Sequence, residues 1–318
     1  MQALLRSLLL ILCLFATPPN GHAADATGGP RNGQIAVLYP DLGEPYRSVF
    51  RQILSGIEAS APGRIVPVAL DAAMTPDALR SRLEQQSVAA VIALGRHGLQ
   101  AASALPDTVP VVGGAVLAPP SDGPPTGTMI SLAPDPRLLL AHLKRLAPSV
   151  KRVFTVYSSR QNAWLIAIAQ QAAKAHGIEL VPLETDDLRA ALQRFHDIAA
   201  EARSGTDAIW LPQDNTVLDD QVILPFILQQ AWDRSLIVFS STLAHVRRGA
   251  LFALYPDNTD MGHQLAAAAL ELLDGRGKPR AVQPLHEVRL ALNTRTAGHL
   301  GLNLETIEKD VALLFPVR

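Results

Sequence analysis

After position 34 the hydrophobic residues fall into two alternating kinds of segment. Short runs rich in β-branched side chains predict buried strands, and longer segments in which hydrophobic residues recur every three or four positions predict helices. This alternation is typical of a parallel sheet whose strands are joined by crossover helices. The strands predicted for the first half cover residues 35–39, 65–70, 88–94 and 109–112, and an extended segment is predicted at 127–132.

The alternation starts again in the second half, after a proline-rich segment at 119–125 that has no periodicity and predicts a boundary. The strands predicted here cover 153–157, 178–183, 208–211 and 236–239, and the helices cover 136–146, 164–176, 188–202 and 222–232. Beyond them we expect a strand at 250–255, a helix at 261–273, a strand at 287–292 and a C-terminal helix from Leu304. The pattern therefore predicts an α/β fold of two doubly wound parallel-sheet lobes.

Composition narrows the class of protein. A chain of 318 residues, 48% of them hydrophobic, is long enough to form two cores of ordinary domain size. The 28 basic and 29 acidic residues leave a net charge of −1, so the chain as a whole has no positive field that would attract nucleic acid. The single cysteine, Cys13, lies in the first apolar run, which excludes a disulfide framework and a thiolate metal site.

The first 23 residues have the pattern of a secretory signal peptide. Arg6 precedes an apolar run at 8–15, helix-breaking residues follow, and residues 21–23 have the small-x-small pattern of a cleavage site. Because the run is roughly half as long as a bilayer span requires, we predict cleavage and export to a bacterial periplasm. Two alternatives stay open. One is an uncleaved anchor, and the other is lipid attachment at Cys13, although Leu12 stands where such a site has a small residue.

Polar residues follow several of the predicted strands. Ligands of open parallel sheets bind beyond the carboxyl ends of the strands, where helix N-termini present free N–H groups. The loops at 158–162, 212–216 and 240–242 are short and rich in hydroxyl and amide groups, which suits hydrogen bonding to a small polar solute. The alternative is that these side chains cap helices. Trp164 also has two interpretations, as a packed aromatic residue or as a platform for a ligand.

No catalytic motif is present in the sequence. It contains no G-x-S-x-G, H-E-x-x-H or G-x-x-x-x-G-K-[ST] pattern, and its nine histidines lack partners at metal-ligand spacing. The pairs Asp186-Asp187 and Asp219-Asp220 precede predicted helices, where carboxylates complement the helix dipole, so we interpret them as caps. The sequence thus predicts neither an enzyme nor a cofactor.

Several stretches of the second half resemble a known family. They lie at 156–159, 211–217, 237–241, 246–251, 272–275 and 292–302, with Asn162 and Gly262 between them. In order and spacing these residues resemble the ABC transporter substrate-binding proteins of the tryptophan/tyrosine-binding type. The first half is similar only in its β/α rhythm, and residues 95–97 (Gly-Arg-His) replace a turn of a small residue and Thr-Pro in that family.

The resemblance implies a type I periplasmic binding protein fold, in which two lobes joined by a three-crossing hinge close on a solute. We expect residues 31–130 and about 257–280 in the N-terminal lobe, and 131–256 and about 281–318 in the C-terminal lobe. The resemblance also implies a set of ligand-binding residues. They are Tyr157, Ser158, Asn162, Asp214, Asn215, Thr216, Ser240 and Ser241 in the second lobe, with Arg96 and His97 as candidates in the first.

Two functions fit these expectations. The first is the solute-binding component of an ABC import system, a monomer that captures a small polar solute, amino-acid-like or a small anion, for an inner-membrane permease. The second is a periplasmic sensory or scaffold protein of the same fold that signals to a membrane receptor or an envelope complex. Arg96 favours an anionic solute if it faces the cleft. Neither function involves nucleic acid.

Overall fold

The computed structural model describes residues 33–71, 73–117, 127–276, 282–305 and 307–316. The predicted signal peptide and the proline-rich segment at 119–125 lie outside the described residues. Within the described ranges, no helix combines the length and the apolar character that a membrane crossing requires.

Strands and helices alternate along the chain much as the sequence predicts. The strands are β1 (Gln34–Pro40), β2 (Ile65–Leu70), β3 (Val88–Leu94), β4 (Val111–Val116), β5 (Gly127–Pro134), β6 (Arg152–Tyr157), β7 (Glu179–Glu184), β8 (Asp207–Leu211), β9 (Ile237–Ser240), β10 (Phe252–Pro256), β11 (Val282–Leu285), β12 (Val288–Asn293) and β13 (Val311–Phe315). The helices are α1 (Tyr46–Ser60), α2 (Pro76–Gln85), α3 (Gly95–Ala102), α4 (Pro136–Leu146), α5 (Ser159–Ala175), α6 (Leu188–Glu201), α7 (Ile223–Asp233), α8 (Leu243–Arg248), α9 (Asn258–Leu273) and α10 (Thr294–His299).

The strands form two sheets, in the orders β11-β5-β4-β3-β1-β2 and β13-β12-β10-β9-β8-β6-β7. All neighbouring strands of the first sheet are parallel. The second sheet is parallel except that β12 pairs antiparallel with β10. Each sheet has a hydrophobic core on both faces, because helices cover both sides. The predicted α/β class with two doubly wound sheets is therefore confirmed.

The C-terminal segment differs from its prediction. The prediction of a helix from Leu304 is wrong, because this segment contains strand β13, which pairs in parallel with β12. Asn303 starts a local turn, in which its Oδ1 accepts the N–H of Glu305 at 2.9 Å. In β13 every second side chain is more buried than its neighbours, which is the period of a strand and not of a helix.

Strand β4 continues beyond the predicted end at residue 112 and includes Gly113 and Gly114. A Cβ on Gly113 would come within 2.8 Å of Leu99 on α3, and a Cβ on Gly114 within 2.6 Å of Leu265 on α9. Successive residues of a strand face opposite sides of the sheet, so the two glycines let a helix approach closely on each face. Their role here is packing.

Three segments connect the two sheets. The first leads from β5 through Asp135 to α4, the second from β10 through Asp257 to α9, and the third from β11 to β12. The third segment is hydrogen-bonded to the other two. The N–H of Asp135 donates to the carbonyl of Leu285 at 2.9 Å, and the N–H of Asp257 donates to the carbonyl of Glu287 at 3.1 Å.

Side chains reinforce these connections. Asp135, only 1% exposed, accepts hydrogen bonds from the backbone N–H and the guanidinium of Arg137, and Nδ1 of His286 lies 3.3 Å away. Asp257 caps α9, and its Oδ2 lies 3.7 Å from Nε of Arg289. Because β5, β10 and β11 all enter the connections with their carboxyl ends, the carboxyl edges of both sheets meet the same region.

Helices α1 and α9 pack backbone to backbone against the first sheet. A Cβ on Gly56 would overlap the carbonyl oxygen of Thr259, and a Cβ on Gly262 would overlap the carbonyl oxygen of Ile53. The obstacle in each case is main chain, which has no rotamer with which to move aside. Glycine is thus required at both positions for the helices to lie at this separation.

We expect Gly262→Ala to lower the free energy of unfolding by roughly 1–3 kcal/mol, since the added methyl group must push two helix backbones apart. Gly298→Ala on α10 is the matched control, because nothing lies within 4 Å of a Cβ there and alanine favours a helix. Urea unfolding followed by circular dichroism measures both. Equal stability of the two variants would contradict the proposed close packing.

Candidate functional site

Three neighbouring strands of the second sheet, β6, β8 and β9, end beside each other at its carboxyl edge. Their following loops contain the second-lobe candidates predicted from the sequence. Helix α5 begins at Ser159, earlier than the predicted start at 164, so Asn162 lies in its first turn and not in a loop. The adjacent carboxyl ends bring these polar side chains into mutual contact.

Asp214 forms the centre of this contact. Its Oδ2 accepts the backbone N–H of Ser158 at 2.8 Å and the side-chain amide of Asn162 at 2.9 Å, while Oδ1 accepts the N–H of Thr216 at 3.0 Å. The Asp214 residue is 3% exposed, and Ser158 and Asn162 are also buried. The carboxylate therefore braces the β8–α7 loop against the first turn of α5. We call Asp214, Ser158 and Asn162 the Asp214 brace.

Gln161 also joins these polar contacts, although it is not among the candidates predicted from the sequence. Its amide nitrogen donates to Oδ1 of Asn215 at 3.1 Å and to Oγ1 of Thr216 at 2.8 Å. Asn215 is exposed, and Gln161 and Thr216 are half-buried, so these three side chains present polar atoms outside the brace. Its position inside the polar segment 158–162 was the available sign of a binding role. Its hydrogen-bond partners could not be read from the sequence, because they lie more than fifty residues further on.

Ser240 and Ser241 are directed toward the interior of the second lobe. Oγ of Ser240, 0% exposed, lies 3.1 Å from the carbonyl of Leu211 and accepts the N–H of Thr242 at 3.0 Å. Oγ of Ser241 accepts the indole N–H of Trp210 at 3.3 Å. Both hydroxyls thus have protein partners that hold the end of β9 against β8.

His245 on α8 extends the buried polar network at the end of β9. Its Nδ1 lies 2.8 Å from Oγ of Ser240, and its Nε2 lies 3.4 Å from Oδ1 of Asp220. Burial lowers the pKa of His245 below its ordinary value and outweighs the opposing effect of Asp220. The neutral ring with its proton on Nε2 fits both partners, since that nitrogen then faces the carboxylate and Nδ1 accepts the serine proton.

Two aromatic side chains near the site belong mainly to the core. Tyr157 packs against the hydrophobic cluster on one face of the second sheet, and burial together with Glu184 raises the pKa of its phenol. Trp164 packs against the same cluster and donates its indole N–H to the carbonyl of Gln161 at 3.1 Å. Of the two roles considered for Trp164, packing has the structural support.

The first-lobe candidates lie in a separate place among the described residues. Arg96 and His97 are exposed in the first turn of α3, at the carboxyl end of β3. His97 lines a cavity of about 500 Å³ together with Asp41 and Asp71. The residues lining this cavity all lie between positions 40 and 104, so it includes none of the second-lobe candidates.

Each acidic pair supplies one helix cap. Asp187 accepts the N–H of Ala190 at the start of α6, and Asp219 accepts the N–H of Val222 and that of Ile223 at the start of α7. The cap interpretation is confirmed for these two, whereas Asp220 faces His245. Across the part of the chain that the structure describes, no three His, Cys, Asp or Glu side chains come together as a metal site would require.

Comparison with known sequences identifies the family. The profile of the ABC transporter substrate-binding proteins matches residues 139–310, which is more than half of the chain and includes every second-lobe candidate. The chain belongs to the ABC transporter substrate-binding protein family. The search of curated protein sequences found no match to the chain.

Solved structures support the fold of this substrate-binding protein. A conserved domain protein from Vibrio cholerae is 20% identical, with a TM-score of 0.51 over 89% of this chain and 99% of that one. The ABC domain from Streptococcus pneumonia in complex with L-Trp is 18% identical, with a TM-score of 0.51 over the same shares. The ligand-free, open structure of a substrate-binding protein with adhesive properties from Clostridium difficile is 17% identical, with a TM-score of 0.59 over 88% and 98%. The predicted type I periplasmic binding protein fold is confirmed.

Ser240, His245 and Asp220 are residue types of a catalytic triad, but the family and the burial of Ser240 argue against catalysis. Substrate-binding proteins of ABC transporters are binding proteins and not enzymes, as the sequence predicts. A catalytic serine requires access to substrate, and Ser240 has none because its hydroxyl is buried against Leu211 and Thr242. The three side chains therefore support the wall of the site.

We expect Asp214→Asn to lower the free energy of unfolding of this substrate-binding protein by roughly 2–4 kcal/mol. Three N–H donors, two of them buried, share the two carboxylate oxygens of Asp214. The amide of asparagine has only one acceptor oxygen, so at least one donor loses its partner. Asp187→Asn is the matched control, because asparagine caps a helix as well as aspartate does. Urea unfolding should separate the two variants; similar losses would argue against the brace.

We expect the stability of the wild-type protein to fall more steeply than that of His245→Asn as the pH is lowered from 7.5 to 5.5. The pKa of His245 is lowered in the folded state, so the unfolded state takes up protons first, around its ordinary value of 6.5, and folding is then disfavoured. Asparagine keeps an acceptor near Ser240 but does not titrate. His142, whose pKa is also lowered by burial, contributes equally to both proteins. Urea unfolding at each pH gives the two slopes, and parallel slopes would refute this account.

Proposed function

We propose that this substrate-binding protein is the periplasmic solute-binding component of an ABC import system and captures a small polar solute between its lobes. The observation that supports this most is that the family match contains the Asp214 brace at the carboxyl edge of the second sheet. Open parallel sheets bind their ligands at this edge.

The proposed cleft lies between two lobes. We assign residues 31–130 and about 257–280 to the first lobe, and 131–256 and about 281–318 to the second. The end of β5 and all of β11 fall in the range assigned to the second lobe, but both strands pair in the first sheet. They therefore lie beside the connections between the lobes. Since strands of both sheets enter the connections with their carboxyl ends, a solute bound at one carboxyl edge is within reach of the other on closure.

We assign two different roles within the second-lobe set. The buried Ser158, Asn162 and Asp214 hold the loops, because their polar atoms already bond each other. Asn215 and Thr216 present amide and hydroxyl groups to the solute, and Gln161 joins them as a residue that the sequence did not predict. A preformed wall lowers the entropy that a ligand must lose on binding.

The remaining candidates complete the proposed site. Ser240 and Ser241 fix the end of β9, and Tyr157 supports the start of α5 from the core side. In the first lobe, Arg96 and His97 are exposed and free to meet a ligand on closure. An arginine opposite amide and hydroxyl groups suits an amino-acid-like solute or a small anion, whose carboxylate a guanidinium binds with two hydrogen bonds.

Location and partner follow from the family and the N-terminal pattern. Substrate-binding proteins of ABC transporters are typically periplasmic or extracytoplasmic. We propose that residues 1–23 are a cleaved signal peptide and that the mature protein is a monomer. It delivers its solute to an ABC permease in the inner membrane, and the binding energy drives closure of the lobes.

Isothermal titration of the mature protein, from about residue 24, against amino acids, organic acids, nucleosides and sugars tests this proposal. We expect one class to bind, and Asn215→Ala to weaken that binding by roughly tenfold through loss of a polar contact. Small-angle scattering should show a smaller radius of gyration with the bound solute, since the lobes close.

The control for this test is Gln193→Ala, which removes an exposed amide on α6 outside the site. It should bind the solute as the wild type does. If Asn215→Ala and Gln161→Ala also bind with wild-type affinity, the solute lies elsewhere. Absence of binding across the whole panel would instead favour the sensory or scaffold function.

A further inference from the structure

A second large cavity lies at the opposite edge of the second sheet. It has a volume of about 750 Å³ and opens between the C-terminal ends of α7 and α8 and the N-terminal end of α10. Asn293, which lines it, ends β12, and β12 runs antiparallel to β10, so this edge is the one at which β10 begins. The cavity is therefore far along the strands from the Asp214 brace.

Three arginines line this cavity. They are Arg247 and Arg248 at the end of α8 and Arg295 in α10. The acidic residue of the lining is Asp233. The Asp233 carboxylate accepts a hydrogen bond from the side chain of Gln229 at 2.8 Å. The lining thus carries a net positive charge within a concave surface, where a surrounding protein of low dielectric constant strengthens the field.

Aromatic rings hold two of the guanidinium groups. Cζ of Arg295 lies 5.4 Å from the ring centre of Trp232, and the same indole stacks on His299 at 3.8 Å. Cζ of Arg247 lies 5.7 Å from the ring centre of Phe315. A guanidinium over a ring keeps its N–H groups available at its edge, so both arginines are oriented without using their hydrogen-bond donors.

Arg247 and Arg295 have no carboxylate partner among the residues that the structure describes. The third arginine, Arg248, has a distant one, since its Nη1 lies 3.9 Å from Oδ2 of Asp220. Some other arginines of the described chain do have close carboxylate partners, such as Arg137 with Asp135 at 3.0 Å and Arg152 with Asp207 at 2.6 Å. The cavity thus concentrates arginine charge that the protein itself does not neutralise. An anion between the guanidinium groups would relieve their mutual repulsion.

The cavity is also built on fixed backbone. The side-chain amide of Asn293 donates to the carbonyl of Val246 at 2.8 Å, and the hydroxyl of Thr296 donates to the carbonyl of Gly249 at 2.9 Å. These bonds join the end of α8 to the start of α10. They fix the backbone positions from which the arginines of the two helices extend.

We propose that this cavity is a second ligand site, which binds a small polyanion carrying two or more carboxylate or phosphate groups. More than one anionic group is needed because the oriented guanidiniums lie on two different helices, α8 and α10. The volume is in the range of sites for small organic molecules. This site goes beyond the proposed solute cleft and does not depend on it.

Isothermal titration of the mature protein with citrate tests the proposal, with inorganic phosphate as the single-group anion and sodium chloride at matched ionic strength as the blank. We expect citrate to bind more tightly than phosphate. Arg295→Gln and Arg247→Gln should each weaken citrate binding by roughly tenfold, the usual effect of losing a charge-assisted contact. Arg194→Gln, an exposed arginine on α6 that does not line the cavity, should leave it unchanged.

The cleft variant Asn215→Ala locates the bound anion. It should keep wild-type citrate affinity, because Asn215 lies at the other edge of the sheet. Citrate binding that survives both arginine substitutions, or that is no tighter than that of chloride, overturns the proposal. Binding that Asn215→Ala removes and the arginine variants retain also overturns it and assigns the anion to the proposed solute site.

Discussion

The segment from Leu285 to Val288 holds the two halves of the molecule together. It is the third connection between the sheets, and the other two connections donate backbone hydrogen bonds to it, from Asp135 and Asp257. Each of these aspartates also caps the helix that follows it. The same two residues therefore begin a helix in each lobe and fix its entry point. Backbone bonds, and not long side chains, therefore hold the three connections together beside the carboxyl edges of both sheets.

The two edges that meet there are built differently. On the second lobe, buried groups such as Asp214 and Ser240 bond to neighbouring loops, so the wall is formed before a ligand arrives. On the first lobe, Arg96 and His97 are exposed on a short helix. A wall with satisfied buried groups tolerates few changes, whereas exposed side chains can vary without loss of stability. The family match, at residues 139–310, includes the loops around Asp214 and Ser240 and does not include Arg96 and His97.

Periodicity predicted the long elements well and the short ones poorly. The predicted bounds of β3 and α4 agree with the structure, since a strand buried on both faces and an amphipathic helix carry strong patterns. Helices α8 and α10 have six residues each, too few for a helical period, and were not predicted. Hydrogen-bond partners were out of reach for another reason. Trp210 bonds Ser241 across 31 positions, and Gln161 bonds Asn215 across 54, so these contacts exist only once the strands are adjacent.

Helix α8 connects the two edges of the second sheet. At one side His245 bonds Ser240 behind the proposed solute wall, and at the other Arg247 lines the arginine cavity. Coupling between two sites requires an element with two arrangements that each ligand favours differently. Here α8 is fixed at its end by the bond from Asn293 to Val246 and by that from Thr296 to the carbonyl of Gly249. Because these bonds fix the end of α8, we expect an anion bound in the cavity to stabilise the second lobe and to leave the affinity of the proposed cleft unchanged.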